Sequence, residues 1–218
     1  SMSDYGLQEH CRDINLAAAR LARQCADEFS SSDRPRFVSG SIGPTSRTTS
    51  VATSGEPLNR EMLREAYAEQ IEALRDGGVD ALLIETIFDV ENASIAIEEA
   101  KRIAPELPIM LSFSISTPDG HNMLGQSILE FLETLKVQIY SVGINCLSDV
   151  HQMTPLVGQL ARFGCKVSLY PNAGMPDGQG RYHKTPESLL ADVWPLLDSH
   201  RLNIIGGCCG TTDAHIRM

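Results

Sequence analysis

The sequence predicts an α/β fold: a (β/α)8 barrel of the TIM type, lacking its first strands and most of its last helix. Three observations carry this expectation. Short apolar runs alternate with amphipathic stretches along the whole chain, the pattern of parallel strands joined by helices. Strand starts near residues 36, 80, 109, 140, 166 and 203 recur about every 33 residues, so eight units would need roughly 265, close to the ~250 of such barrels. The 218 residues begin with a helix that no strand precedes and end about one turn into another. A doubly wound open sheet is the competing arrangement. Against it, no G-x-G-x-x-G follows any strand, and Gly40-Ser41-Ile42-Gly43-Pro44 has the wrong spacing for a dinucleotide loop.

The opening helix is expected over residues 7–29, where Leu7, Cys11, Ile14, Ala18, Leu21, Cys25 and Phe29 form an apolar stripe at steps of three and four. Residues 36–43 (RFVSGSIG) make the first strand. The helix over 60–76 is stopped by Gly77-Gly78. The strand 80–85 (DALLIE) follows, then a helix over 91–103 that ends before Pro105, with Asp89 and Glu91 as acidic residues of its first turn. Next come the strand 109–114 (IMLSFS), a turn at Asp119-Gly120 and a helix over 127–136. Residues 140–145 (YSVGIN) are a strand, 151–163 a helix and 166–170 (KVSLY) a strand. Thr185 as N-cap and Pro186 at the first helical position open a helix that Pro195 would kink. The strand 203–207 (NIIGG) is last, with a helix beginning near Thr212. The strands are apolar nearly throughout, as strands covered on both faces are.

Composition narrows the function. A chain of 218 residues, 42% hydrophobic and 21% charged, has apolar material for a sizeable core, and it is expected to be one domain, 1–218, cut from a larger barrel or a multidomain protein. No apolar run approaches the ~20 residues of a membrane span, and Ser1-Met2-Ser3-Asp4-Tyr5 has no leader character, so no membrane partner is expected. Eighteen Lys and Arg against 28 Asp and Glu give a net charge of -10, which argues against nucleic acid as a partner. Six cysteines are too few for a disulfide scaffold and point to a reduced, cytoplasmic setting.

In a barrel the chemistry gathers at the C-terminal ends of strands. Four ends carry reactive groups here: Glu85, Asn145-Cys146, Pro171-Asn172 and Gly207-Cys208-Cys209-Gly210. With two strands missing in front, Cys146 and Cys208 would end strands of equal parity and could meet at one level. Three thiolates there would bind zinc and leave a fourth position open, the pattern of a working metal and not a structural one. The alternative is that free cysteines serve as small hydrophobes, which is accepted for Cys11, Cys25 and Cys165. Glu85, placed directly after a buried strand, would meet either a substrate ammonium or a neighbouring Lys or Arg. His215 could add a fourth ligand but reads better as a solvent-facing helix residue. Ser112, Ser114 and Ser116 alternate, yet no His and Asp partners can be assigned to them.

Several segments then form a recognisable set: Gly143-Ile-Asn-Cys146, Tyr170-Pro-Asn-Ala-Gly174 and Gly206-Gly-Cys-Cys-Gly-Thr-Thr212 with His215-Ile-Arg217. Asp4-Tyr5-Gly6-Leu7, Gly43-Pro44-Thr45, Gly77-Gly-Val-Asp80 and Leu83-Ile-Glu-Thr-Ile-Phe-Asp89 support them. The chain resembles the homocysteine S-methyltransferase family over essentially its whole length, and within it the homocysteine-binding domain of cobalamin-dependent methionine synthases. The resemblance implies a (β/α)8 barrel with zinc on Cys146, Cys208 and Cys209, and Glu85 on the amino group of homocysteine. It implies a homocysteine thiolate that accepts a methyl group to give methionine, with methylcobalamin on a separate domain or chain as donor. Betaine or S-methylmethionine as donor, and a non-catalytic interaction module, are the alternatives. The sequence departs from the family in lacking the first strand with its Asp-Gly-Gly-x-Gly-Thr loop and the second with Glu-Thr-Asn/Asp-Thr-Phe. It also has a shortened segment near Ser54-Gly55-Glu56-Pro57, and Leu124-Gly125-Gln126 in place of Ser-Gly-Gln. Asp119-Gly120-His121 opens like a cobalamin-binding Asp-x-His-x-x-Gly motif, but Leu124 stands where its glycine belongs.

Overall fold

The computed structural model describes residues 2–45 and 59–218, so the shortened segment around residues 54–57 lies outside the described residues. Two compact units divide the chain, Ser1–Met110 and Leu111–Met218.

In the first unit, α1 (Cys11–Phe29) precedes β1 (Ser39–Ile42), α2 (Arg60–Asp76), β2 (Ala81–Ile87) and α3 (Val90–Ile103). The opening helix starts later than periodicity implies, because residues 8–10 wind as a 3-10 turn. Its buried face is also rotated from the expected stripe. Ala19 is the buried residue, while Ile14, Leu21 and Phe29 are exposed. The reason lies in how α1 meets its neighbour. Ala19 lies where a side chain on Gly77 would come within 2.4 Å of its Cβ, and Arg12 and Arg23 reach Asp76 and Asp80 at 2.7 Å each. Backbone fit and ion pairs therefore set the face, and the apolar stripe does not. Asn59 caps α2 by accepting from the Met62 N–H, and Gly78 turns the chain at φ +85°. Strands β1 and β2 pair in parallel from Ser39↔Ala81 to Ile42↔Ile84. Asp89, anticipated as a first-turn acid, is instead the fully buried N-cap of α3, accepting from the Glu91 N–H. Glu99 is buried between Arg64 and Arg102, whose guanidinium nitrogens lie 3.0 and 2.6 Å from its carboxylate.

The strand β3 (Ile109–Phe113) leads into the second unit, followed by α4 (Ile128–Thr134), β4 (Ser141–Leu147), α5 (Val150–Leu160), β5 (Lys166–Pro171), α6 (Pro186–Asp198), β6 (Ile204–Ile205) and α7 (Asp213–Arg217). Ser127, Asp149 and Thr185 cap α4, α5 and α6 through their side chains, and Pro186 sits in the first turn of α6 as the sequence leads one to expect. Strand β4 pairs in parallel with β5, and β5 with β6. Within each unit no strand is skipped, so neighbours in the sheet are neighbours in the sequence, the arrangement of a βα-repeat fold. Buried Val142, Ile144, Val167 and Leu169 pack the strand pair from within. Among the described residues no helix is long and apolar enough to cross a membrane.

Candidate metal centre

Cys146 owes its direction to an irregularity in β4. The β4–β5 register passes from Asn145↔Tyr170 to Leu147↔Pro171, and Cys146 is the residue left over. It takes φ +58°, a left-handed conformation uncommon for any residue but glycine. The bulge turns its side chain out of the strand's alternation while Asn145 and Leu147 stay buried.

The other two sulfurs stand on the loop after β6, held in register by β5. The Cys208 N–H donates to Pro171 O at 2.8 Å, Ala173 N–H to Cys209 O at 2.9 Å, and Cys209 N–H to Asn172 Oδ1 at 3.1 Å. Thr211 returns to Cys208 O from both its amide, at 3.1 Å, and its hydroxyl, at 2.7 Å. Gly210 then takes φ +77°, and a side chain there would lie 2.2 Å from Tyr182 Cγ, so both conformation and space call for glycine.

The three sulfurs converge. Cys146 Sγ lies 2.9 Å from Cys208 Sγ and 3.9 Å from Cys209 Sγ, and Cys208 and Cys209 Sγ are 3.9 Å apart. Three sulfurs each about 2.3 Å from one tetrahedral zinc stand about 3.8 Å apart, so two edges of the triangle match a metal triad as they are. All three are free thiols. Burial, and then the adjoining Cys208 and Cys209 sulfurs, push the Cys146 thiol well above its ordinary range. Three sulfurs gathered this closely would repel one another as thiolates, a charge that a cation would offset, so these residues could hold a metal ion.

Two asparagines and a serine position the sulfurs. Asn145 is fully buried and accepts from Ser112 Oγ at 2.8 Å, which turns its Nδ2 toward Cys208 Sγ at 3.9 Å. Ser112 thus serves to orient Asn145, a role that its alternation with Ser114 and Ser116 did not announce. Asn145 and Asn172 were legible as strand-end polar residues; their tasks emerge only from the pairing of β4, β5 and the loop. Tyr182 gives no sequence signal at all. It lies against Gly210, and burial is the first cause that pushes its phenol up.

The remaining expected residues fall elsewhere. His215 is half-buried and not solvent-facing. Its Nδ1 accepts from Thr212 N–H at 3.1 Å in the cap of α7 and its Nε2–H donates to Lys184 O at 2.9 Å, so both nitrogens are already engaged. Cys11 and Cys165 are half-buried and Cys25 is exposed, so none of the three is the core hydrophobe that was expected. Glu85, in the first unit, accepts from Ser41 Oγ at 2.5 Å, and among the described residues no Lys or Arg stands within ion-pair distance of it. The residue after it, Thr86, has φ +59°.

Comparison with known proteins agrees with this architecture. The homocysteine methyltransferase MmuM from Escherichia coli in its oxidized form superposes with a TM-score of 0.79 at 23% identity, over 99% of this chain and 72% of that one. Its metallated form gives 0.77 at 23% identity, with 99% and 72% covered. An endoxylanase retrieved from a sugarcane soil metagenome gives 0.53 at 14% identity, with 83% and 69% covered. These similarities establish the α/β barrel-type fold. The profile of the homocysteine S-methyltransferases matches residues 1–218, from end to end, and the chain belongs to the homocysteine S-methyltransferase family.

Proposed function

We propose that this chain is the homocysteine-activating domain of a methionine-forming methyltransferase, holding zinc through Cys146, Cys208 and Cys209. The observation that carries this reading is the meeting of the Cys146 sulfur with those of Cys208 and Cys209, 62 and 63 residues further along the sequence, with one pair as close as 2.9 Å. Three protein ligands, one from the end of β4 and two from the loop after β6, leave a coordination position free for substrate, unlike the four ligands of structural sites. Zinc, when bound there, lowers the pKa of an incoming thiol so that a thiolate exists at neutral pH.

The chain's own residues supply placement. The bulge aims Cys146, and Asn145, Asn172 and the Thr211 turn fix Cys208 and Cys209. Glu85 is the proposed acceptor for the substrate ammonium; with Ser41 on one oxygen, its carboxylate is oriented before substrate arrives. The homocysteine sulfur then attacks the methyl carbon in line, the bond from that carbon to its carrier breaks, and methionine results. The methyl donor is proposed to be methylcobalamin on another domain or chain, since the Asp119-Gly-His121 stretch lacks the glycine of a cobalamin-binding motif.

The test is metal analysis of the reduced chain, followed by X-ray absorption at the zinc edge with and without homocysteine. One zinc per chain with three sulfur neighbours, rising to four with homocysteine, is expected. Absence of zinc, or an unchanged sulfur count, refutes the reading. Methyl transfer assayed with methylcobalamin, S-methylmethionine and betaine in turn decides the donor.

A further inference from the structure

We propose that Thr86 is a second substrate-binding residue, whose hydroxyl takes the α-carboxylate of the same amino acid whose ammonium meets Glu85. The inference rests on the substrate role given to Glu85 above and deepens it: the pair recognises an α-amino acid and not merely an amine.

The backbone supplies the first observation. Among the described residues, positive φ outside glycine occurs at Thr86, Cys146 and His200. His200 follows α6 and its cap Ser199, where a left-handed residue commonly ends a helix. Thr86 and Cys146 have no helix to end; each is the last residue but one of its strand, β2 and β4. Threonine is β-branched, the side-chain type least suited to this region, and glycine or asparagine would make the same turn with less strain. The burial pattern shows what the turn does. Leu82 and Ile84 are fully buried on one face of β2, while Ala81, Leu83 and Glu85 are half-buried on the other. Regular alternation would carry Thr86 to the buried face and Ile87 to the face of Glu85. Instead Thr86 is half-buried and Ile87 fully buried, so the alternation restarts at the residue with φ +59°. Glu85 and Thr86, which an undisturbed strand would send to opposite faces, therefore share the face on which Ser41 of β1 meets Glu85.

That placement fits one chemical class. In an α-amino acid the ammonium nitrogen and the carboxylate oxygens hang on one carbon, within about 3 Å of each other, and consecutive Cα atoms are about 3.8 Å apart. An acceptor and a donor on adjacent residues of one face can thus hold both groups at once. Ser41 Oγ donates to Glu85 Oε1 at 2.5 Å, which orients the carboxylate for the ammonium. The Thr86 hydroxyl brings one donor and two acceptor lone pairs. A Lys or Arg in its place would pair with Glu85 itself and displace the substrate ammonium. A neutral hydroxyl makes a charge-assisted bond to the substrate carboxylate and leaves Glu85 ionised and open.

Calorimetry on the zinc-loaded chain tests this with two thiols, homocysteine and homocysteamine, which is homocysteine without its carboxylate. Thr86→Val keeps the branched shape and removes the hydroxyl, Thr86→Gly removes it and suits the positive φ, and Thr86→Ser keeps it. Homocysteine should bind Thr86→Val and Thr86→Gly about tenfold or more weakly, as the loss of a hydrogen bond to a charged group implies, and should bind Thr86→Ser within about twofold of the parent. Homocysteamine should bind the parent and all three variants alike. If Thr86→Val fails to fold, Thr86→Gly decides. Unchanged homocysteine affinity in Thr86→Gly overturns the inference, and so does an equal loss for both thiols, which reports only a displaced Glu85. Glu85→Gln separates that outcome from failure of the reading beneath it. A loss for both thiols in Glu85→Gln, with the Thr86 variants unaffected, removes Thr86 and spares Glu85. Parent-like binding of both thiols by Glu85→Gln, or a parent that binds neither, removes the role of Glu85 and this inference with it.

Discussion

Cys146 at φ +58° and Thr86 at φ +59° each occupy a backbone conformation that costs about 1–3 kcal/mol outside glycine. Both sit at the C-terminal ends of strands, one being a candidate ligand and the other following Glu85 directly. For Cys146 the use of the strain is visible: the bulge frees its sulfur to meet two others. Glu85 admits a direct test. A glutamine there can still accept from Ser41 Oγ but lacks the charge for a substrate ammonium. Glu85→Gln should therefore weaken homocysteine binding about tenfold or more, measured by calorimetry on the zinc-loaded chain, with zinc content unchanged. Equal affinity in the two proteins would remove Glu85 from substrate binding. At this scale the sequence was informative about the sulfurs, because glycines around a cysteine tandem have few structural uses. It was silent about Tyr182, which approaches the cysteines through a turn closed by Asp177 and is flanked by ordinary polar residues.

Elements were legible in existence and order wherever local chemistry decides them. Thr185-Pro186 opens α6 and α2 spans Arg60–Asp76, as capping and glycine signals imply. They were less legible wherever a neighbour decides. The α1 face follows its fit to Gly77 and its ion pairs, and β4 runs on to Leu147 through a bulge that no periodicity reveals. The 177–183 turn belongs to the same class, and its acid sensitivity can be worked out. The bond from His183, then the Arg181 and Gln179 amides, hold the Asp177 carboxyl well below the usual carboxylate range. A depressed folded-state pKa contributes order that is complete above the unfolded value of about 3.9 and is lost only as pH falls through the folded one. The Asp177 carboxyl carbon, followed by NMR, should stay ionised through pH 4, where unpaired aspartates titrate. A midpoint near 4 would show that the turn is not closed by these bonds, and the placement of Tyr182 would lose its support.

For the molecule as a whole, the distribution of the cysteines makes metal binding and stability one question. All three candidate ligands lie in Leu111–Met218, on β4 and the loop after β6, so a metal there would join segments whose backbones already meet through β5. A ligand that binds only the folded state adds RT ln(1 + [L]/Kd), about 2.7 kcal/mol at a hundredfold excess over Kd. Part of that should appear locally as slower opening of the loop. The amides to watch are Cys208 N–H on Pro171 O, Cys209 N–H on Asn172 Oδ1 and Asn172 N–H on Leu147 O, since these bonds join the segments that carry the three sulfurs. Zinc should slow their hydrogen exchange by up to about a hundredfold in the regime where exchange reports opening free energy. A cation held by the surface carboxylates of a chain with net charge -10 would leave these three amides as they were, because none of them touches an acidic side chain. Slowing confined to zinc and absent with calcium would then tie the stabilisation to thiolate chemistry, since calcium prefers oxygen ligands, whereas equal slowing by both would refute it.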